Sequence, residues 1–573
     1  MTTEIRYLDV YPDKAQYRPN EEGKILIEIE SNSDCMLVSK LIFRTVVTVV
    51  SSTKKELALR KDRRCIFAVP FKTREDSWDC IGVDVQFFDG ERLLLDKSTA
   101  YDSVDHWWRT PRYGFICDYP VTELGATQDI SALQKYHINC IQFYDWMYRH
   151  DQLVPPESEF TDPMGRKLSY AVVTEKRKMA QRRGMAVLAY GAVYAALKDF
   201  FNSHKEWALY QRDQQPFSLI DRFYIMDLSA DSQWTAKIIS EFKKVIHEGF
   251  DGIHLDQYGF PKKAIRYKDN KAEVVDLATC YRAFIDRLKT DMEETGEDAA
   301  LIFNNVSNYP VKKTAQANQA AIYIEVWPPV KHYYELKALI EDARERSNKQ
   351  VILSAYLPAF RELPLERMNE AENGAILTMA TIFASGGFHL FVGEDNAVLT
   401  SAYYPDYARM RPSFIQEVRC YYDFIVRYGK LLHGFKLKDV SMTYTGGINT
   451  EVLLTGASAI APNGEPGKVW SQIKNSDQCL VIHLINFVEI EDDSWDTGKA
   501  RRPKLQTNIL CTVLKEHEVT SVYIASPDRL GGRAIECAYE EVAHEQGRAI
   551  QFTIPELKVW NMVIVNWVSE EMH

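Results

Sequence analysis

Between residues 107 and 391 the chain alternates eight short apolar runs with longer amphipathic stretches, and this alternation limits the fold more than any other feature. The runs lie at 113–117, 139–143, 185–189, 252–255, 300–303, 321–324, 351–354 and 388–391. Each is too short for a helix and favours a pleated surface. The intervening stretches carry apolar residues at helical spacing with charges opposite, most clearly at 235–248 and 277–295. Strands in series, each followed by a helix, predict an α/β fold, a (β/α)8 TIM barrel. A ninth run at 223–226 is read as part of an excursion between the third and fourth strands, because 191–250 is long for one connection.

On either side of this region strands recur without helices. Residues 24–30 alternate strictly, and β-rich runs follow at 41–50 and 81–88. Strands at this spacing predict an N-terminal immunoglobulin-like β-sandwich over 1–105. After the predicted barrel, 106–433, runs at 441–445, 479–485, 521–524, 551–554 and 560–565 predict a C-terminal β-sandwich over 434–573. Three units suit 573 residues, since domains average about 150 residues and barrels run larger. The charged segment 489–502 reads as a solvated turn.

A net charge of −11 argues against a nucleic-acid partner, because phosphate neutralisation requires a basic patch. No apolar run reaches membrane-spanning length, and residues 1–7 lack a basic segment leading into an apolar one. The expectation is a cytoplasmic protein as written, or a secreted one if a leader has been trimmed. Ten scattered cysteines without CxxC pairs fit reduced thiols. There is no HExxH, phosphate loop or EF-hand spacing, so no metal or cofactor is expected. Aromatic residues at 12% mildly favour a carbohydrate ligand, since their faces stack on the C–H faces of sugar rings, although many must be core.

In such a barrel, residues just past the strands converge on one rim. Taking them in order gives Asp118 and Tyr119, then Tyr144, Asp145 and Trp146, Tyr190, Asp256, Asn304 and Asn305, Glu325 and Trp327, and finally Glu394. Carboxylates, amides and aromatic rings on one rim are what glycoside chemistry needs: one acid to attack or steady an oxocarbenium-like centre, another to protonate the leaving oxygen. Each residue also has a plainer reading. Asp256 could cap a loop, Glu325 could pair with a basic side chain, and Asp118 could cap the following helix. Tyr144, Trp146 and Tyr190 could be core. His254 shares the strand face of Asp256 and is expected beneath it.

The motifs FYDWMYRHD (143–151), FDGIHLD (250–256), FNNV (303–306), EVW (325–327) and FHLFVGE (388–394) followed by YYP (403–405) resemble glycoside hydrolase family 66, the dextranases and cycloisomaltooligosaccharide glucanotransferases. The resemblance covers the predicted barrel well, and its order of sandwich, barrel and sandwich matches. It implies retaining, endo-acting hydrolysis of α-1,6-glucosidic bonds in dextran or isomaltooligosaccharides. Asp256 would be the nucleophile and Glu325 the acid/base, with Asp118, Tyr144, Tyr190, Asn304 and Trp327 in nearby subsites. The alternatives are a transglycosylase forming cyclic or longer isomaltooligosaccharides, or a non-catalytic carbohydrate-binding barrel. The interval 354–388 is too short for the binding module inserted in the glucanotransferases, which favours hydrolysis.

Overall fold

The computed structural model describes residues 4–568 apart from 270, 297, 457 and 458. Its N-terminal strands form two sheets. One orders Ile5–Pro12, Glu22–Ser31 and Cys65–Lys72; the other orders Thr48–Leu59, Cys35–Thr45, Trp78–Asp89 and Arg92–Val104. The strict alternation of 24–30 sends Ile25, Ile27 and Ile29 into an apolar core shared with Leu41, Val83 and Phe87 of the second sheet. The run 41–50 is not one strand. It straddles a hairpin that turns at Val46, whose φ is 49°, so two strands divide it.

The central sheet has eleven strands, ordered Phe388–His389, Val351–Ser354, Ala321–Glu325, Ala300–Val306, Gly252–Asp256, Ala186–Ala192, Cys140–Phe143, Tyr113–Ile116, Val392–Gly393, Ala397–Val398 and Ala408–Arg409. Pairing is parallel from Phe388–His389 through to Val392–Gly393. Of the eighth predicted run, 388–391, only Phe388–His389 is a strand; a second short strand, Val392–Gly393, follows it, and the two lie at opposite ends of that parallel run. The sheet therefore curls, so that one short segment, 388–393, pairs with Val351–Ser354 on one side and with Tyr113–Ile116 on the other. The run 223–226 lies outside this sheet: Phe223–Ile225 pairs with Ala195–Ala196 and Ser218–Leu219 in a separate three-stranded sheet.

Helices cover the curled sheet through their apolar faces. Gln233–His247 starts at Ser232, which accepts a hydrogen bond from Trp234 N, and buries Trp234, Ile238, Phe242 and Val245. Leu277–Glu294 starts at Asp276 in the same way and buries Tyr281, Phe284, Ile285 and Leu288. Gly252 has no room for a side chain, because a Cβ there would lie 2.1 Å from Ala300 O on the neighbouring strand. The N-terminal sheets are fastened to the curled sheet by Arg112 and Asp102, a buried pair at 2.8 Å just before strand Tyr113–Ile116.

Beyond residue 434 a seven-stranded sheet and a four-stranded sheet share a second core that includes Ile473, Ile482, Cys511, Ile554 and Val563. Two expectations fail here. Ser441–Thr445 is a short helix, since its five residues close local turns from Val440 rather than a ladder. The segment 489–502 is more than a solvated turn: Trp495 is buried and its Nε1 donates to Val330 O at 3.2 Å, while Lys499 is buried and donates to Asp492. All ten cysteines are unpaired, and Cys80, Cys117, Cys140, Cys479 and Cys511 are buried.

Candidate active site

The C-terminal ends of the parallel strands surround a cavity of about 610 Å³ lined by Asp256, Glu325, Asn304, Tyr144, Tyr190, His254 and Trp327, among others. Asp256 ends strand Gly252–Asp256, whose Ile253 and Leu255 face the helices while His254 and Asp256 face inward. Asn304 lies on Ala300–Val306, and Glu325 closes Ala321–Glu325 two strands from Asp256. Parallel register brings these side chains to one level.

Asp256 accepts hydrogen bonds from Tyr190 OH (2.6 Å, to Oδ2) and Asn304 Nδ2 (2.7 Å, to Oδ1). The same amide nitrogen donates to Glu325 Oε2 at 2.8 Å, and Tyr356 OH donates to Glu325 Oε1 at 2.7 Å. The two acids therefore meet at one amide. Asn304 Oδ1 is buried with no partner among the described residues, which leaves an acceptor for a hydroxyl donor. Burial raises both carboxyls. Asp256 is pushed up to about 7 with the Glu325 charge adding, while the donors Tyr190 and Asn304 oppose; Glu325 is raised by burial against Tyr356 and Asn304. A pair of raised acids shares one proton more readily than it ionises twice.

Beneath the acids lies a polar aromatic floor. His254 Nδ1 and Tyr113 OH are 2.9 Å apart, and burial holds the His254 pKa down to about 3, so its ring is neutral. Tyr323 OH and Tyr404 OH are 3.0 Å apart, and Tyr404 OH donates to Gln142 Oε1 at 3.3 Å. Tyr144 stacks on Tyr404 with centroids 4.2 Å apart, and Trp146 Nε1 donates to Tyr190 O at 3.1 Å. Trp327 is 36% exposed and packs edge-on to Tyr356, leaving much of its ring open to a ligand.

Six rim candidates, Asp118, Tyr119, Asp145, Trp146, Asn305 and Glu394, stand apart from the cavity lining, and Asn305 is fully buried with its Nδ2 donating to Tyr323 O at 2.8 Å. Tyr119 is fully buried in the core, with its OH donating to Ile116 O at 2.8 Å. Glu394 is buried and accepts from Cys117 N (2.9 Å) and Asp118 N (3.1 Å), so it fixes the end of the first strand; burial raises it to about 8. Asp118 and Asp145 gather round Arg166, at 3.8 Å and 4.0 Å. Asp145 has φ 45° and is pushed up to about 7 by burial, opposed by Arg166. Arg166 is carried by the hairpin of Glu159–Thr161 and Lys167–Ser169, and also donates to Cys117 O at 2.8 Å. Cys117, Asp118 and Glu394 place three possible ligand atoms within 4.8 Å of one another. The Cys117 thiol, which burial keeps protonated, donates to Glu394 Oε1 at 3.0 Å, and the Lys176 amine lies 3.7 Å from Oε2, which is buried without a hydrogen-bond partner among the described residues.

Sequence reasoning missed Gln142, Tyr356, Tyr404, Leu219 and Arg166. Tyr356 lies two residues past Val351–Ser354 and was open to the rule that found the others. Gln142 and Arg166 carried no such signal, since one lies inside a strand and the other on an irregular excursion.

A paired-carboxylate pocket at the C-terminal rim of a curled parallel sheet defines a carbohydrate-active enzyme of the glycosidase class. The chain belongs to glycosyl hydrolase family 66, whose profile it matches over residues 12–564. It is 24% identical to a cycloisomaltooligosaccharide glucanotransferase of Niallia circulans, over 97% of this chain and 71% of that protein. It is also 24% identical to a dextranase of Streptococcus salivarius, over 82% of this chain and 66% of that one. A cycloisomaltooligosaccharide glucanotransferase of Paenibacillus sp., solved in complex with cycloisomaltoheptaose, shares the fold with a TM-score of 0.88 at 21% identity, covering 97% of this chain and 99% of that one.

Proposed function

We propose that the protein is a retaining, endo-acting hydrolase of α-1,6-glucosidic bonds in dextran or isomaltooligosaccharides. One observation carries the mechanism. Asn304 Nδ2 lies 2.7 Å from Asp256 Oδ1 and 2.8 Å from Glu325 Oε2, so those two oxygens are at most 5.5 Å apart. Retaining enzymes space their carboxyls at about 5–5.5 Å, whereas inverting ones need about 6.5–9.5 Å to admit a water.

Asp256 attacks the anomeric carbon as the bond to the leaving oxygen breaks, and Glu325 gives that oxygen its proton. A covalent glycosyl-enzyme results. Glu325, now ionised, takes a proton from water, which attacks the same carbon and frees Asp256. Asn304 stays bonded to whichever oxygens carry charge, and its free Oδ1 accepts from a sugar hydroxyl. Tyr144, Tyr190 and Trp327 supply rings for neighbouring glucosyl units, and Asp118 and Asp145 bind hydroxyls near Arg166. In this reading the curled sheet is a closed (β/α)8 barrel over 106–433, flanked by an immunoglobulin-like sandwich at 1–105 and a second sandwich at 434–573.

Transglycosylation uses the same glycosyl-enzyme, with a sugar hydroxyl in place of water. Hydrolysis is the preferred reading because the interval 354–388 is too short to hold the binding module that the family resemblance places in the glucanotransferases. Between Val351–Ser354 and Phe388–His389 the present chain fits only short helices and Met368–Ala384. The test is incubation with dextran and, separately, maltooligosaccharides, with products sized and their anomers followed by NMR. Internal cleavage of dextran to linear α-anomeric products supports the proposal. Cyclic products would favour transfer, maltooligosaccharide cleavage would remove the linkage, and β-anomeric products would remove retention.

A further inference from the structure

The hairpin after the third parallel strand carries a strained apolar tip at the edge of the cavity. Ser218–Leu219 pairs with Phe223–Ile225, and Arg222 N donates to Leu219 O at 3.1 Å across the turn. Its central residues, Ile220 and Asp221, have φ of 49° and 52°. Such a turn suits Asn-Gly or Asp-Gly, and a β-branched side chain is crowded in that conformation. Ile220 is also 62% exposed, so burial offers no compensation. Strain of this kind persists where surrounding structure enforces it, and it concentrates at ligand-contacting positions.

Here the surroundings do enforce it. Phe223 packs edge-on to His150 with centroids 4.7 Å apart, and Tyr224 stacks on Phe201 at 4.1 Å. Arg222 Nη1 donates to Pro163 O at 2.7 Å and lies 3.8 Å from Met164 Sδ, which ties the tip to the neighbouring hairpin. Met164 is itself 37% exposed, and Leu219 lines the cavity that holds Asp256 and Glu325. The parent strand Ala186–Ala192 adjoins Gly252–Asp256 on the side away from Ala321–Glu325. Leu219 packs against a cluster of Ala192, Ala195 and Phe223 with Tyr258, so the tip stands on the side of Asp256 away from Glu325.

We propose that Leu219 and Ile220 form an apolar ledge that holds a glucosyl unit of the substrate chain on the non-leaving side of the cleaved bond. A pyranose ring presents C–H groups on its faces and hydroxyls at its edge. An exposed aliphatic ledge meets the face and leaves the hydroxyls in water. The ledge thereby helps select how long a chain is bound and what length is released. The inference rests on the α-1,6-glucan reading.

The test compares the full chain with Ile220→Asn and Ile220→Gly, measuring KM across short to long isomaltooligosaccharides, product lengths from dextran, and thermal melting. Both variants relax the turn, so melting temperatures should equal or exceed the parent's. KM for the longer chains should rise about five- to tenfold, the size of effect expected for one lost apolar contact. Product lengths should shift with it. Parent-like KM and product lengths in both variants would overturn the ledge while leaving the α-1,6 reading intact. A clear drop in melting temperature would overturn it too, by showing that Ile220 serves the fold. A parent protein that neither binds nor cleaves α-1,6-glucans would overturn the broader reading, and with it the ligand assigned here.

Discussion

Asp256 and Glu325 hydrogen-bond the same nitrogen, with Asn304 Nδ2 donating to one at 2.7 Å and to the other at 2.8 Å. An amide has two N–H groups on that nitrogen, and both are used. Asn304→Ala should therefore strip a donor from each acid at once. Initial rates on dextran should fall roughly 10²-fold, the scale of one lost preorganised donor, with circular dichroism unchanged.

The proposed roles separate when the leaving group no longer needs a proton. Asp256→Asn and Glu325→Gln should each lower turnover of dextran by at least about 10³-fold. With an α-glucosyl fluoride-type donor, Glu325→Gln should keep the first step and Asp256→Asn should not. Near-parent activity on dextran in either variant would remove the assignment.

The Glu325 charge is one cause that raises Asp256 to about 7. Removing that negative neighbour must lower the Asp256 pKa. On an activated donor, the acid limb of the pH–rate profile should thus lie at lower pH in Glu325→Gln than in the parent enzyme. A limb that stays in place or moves up would show that the two acids do not sense each other.

The same shift reaches stability. Asp256 has a folded pKa of about 7, above the usual carboxylate range, so its contribution is complete at pH below about 4 and is lost as pH rises through 7. Asn mimics the protonated form and does not titrate. Asp256→Asn should match the parent near pH 4 and exceed it by roughly 2–4 kcal/mol at pH 8, read from urea unfolding at each pH. An advantage that is flat across that range would contradict the burial argument.

How far the site was legible depended on which force set each residue. The end of strand Gly252–Asp256 could be read because alternation is a local property, and Ile253 and Leu255 show it within five residues. Glu325 and Asn304 followed from the same rule, since parallel strands start and stop together. That rule says nothing about which way a residue past the strand end turns, so Tyr119 and Glu394 were grouped with the site although both are buried behind it. Arg166 was invisible because its importance is tertiary: a short hairpin brings it to Asp118 and Asp145 from 48 and 21 positions away in a chain with no local sign of the encounter. The segment 489–502 misled for the opposite reason. Its charges are conspicuous, but Trp495 decides where it packs.

The segment 388–393 pairs with Val351–Ser354 on one side and Tyr113–Ile116 on the other, and Glu394 then ties off the backbone at Cys117 and Asp118 from 277 and 276 positions downstream. On a ribosome, the first strand must wait for some 280 further residues before its rim is locked, at an elongation rate of about 5–20 residues per second. Until then its edge is an unpaired template for other chains. The pocket is thus among the last features of the central sheet to mature during synthesis, and truncation before residue 394 removes it along with the end of the sheet.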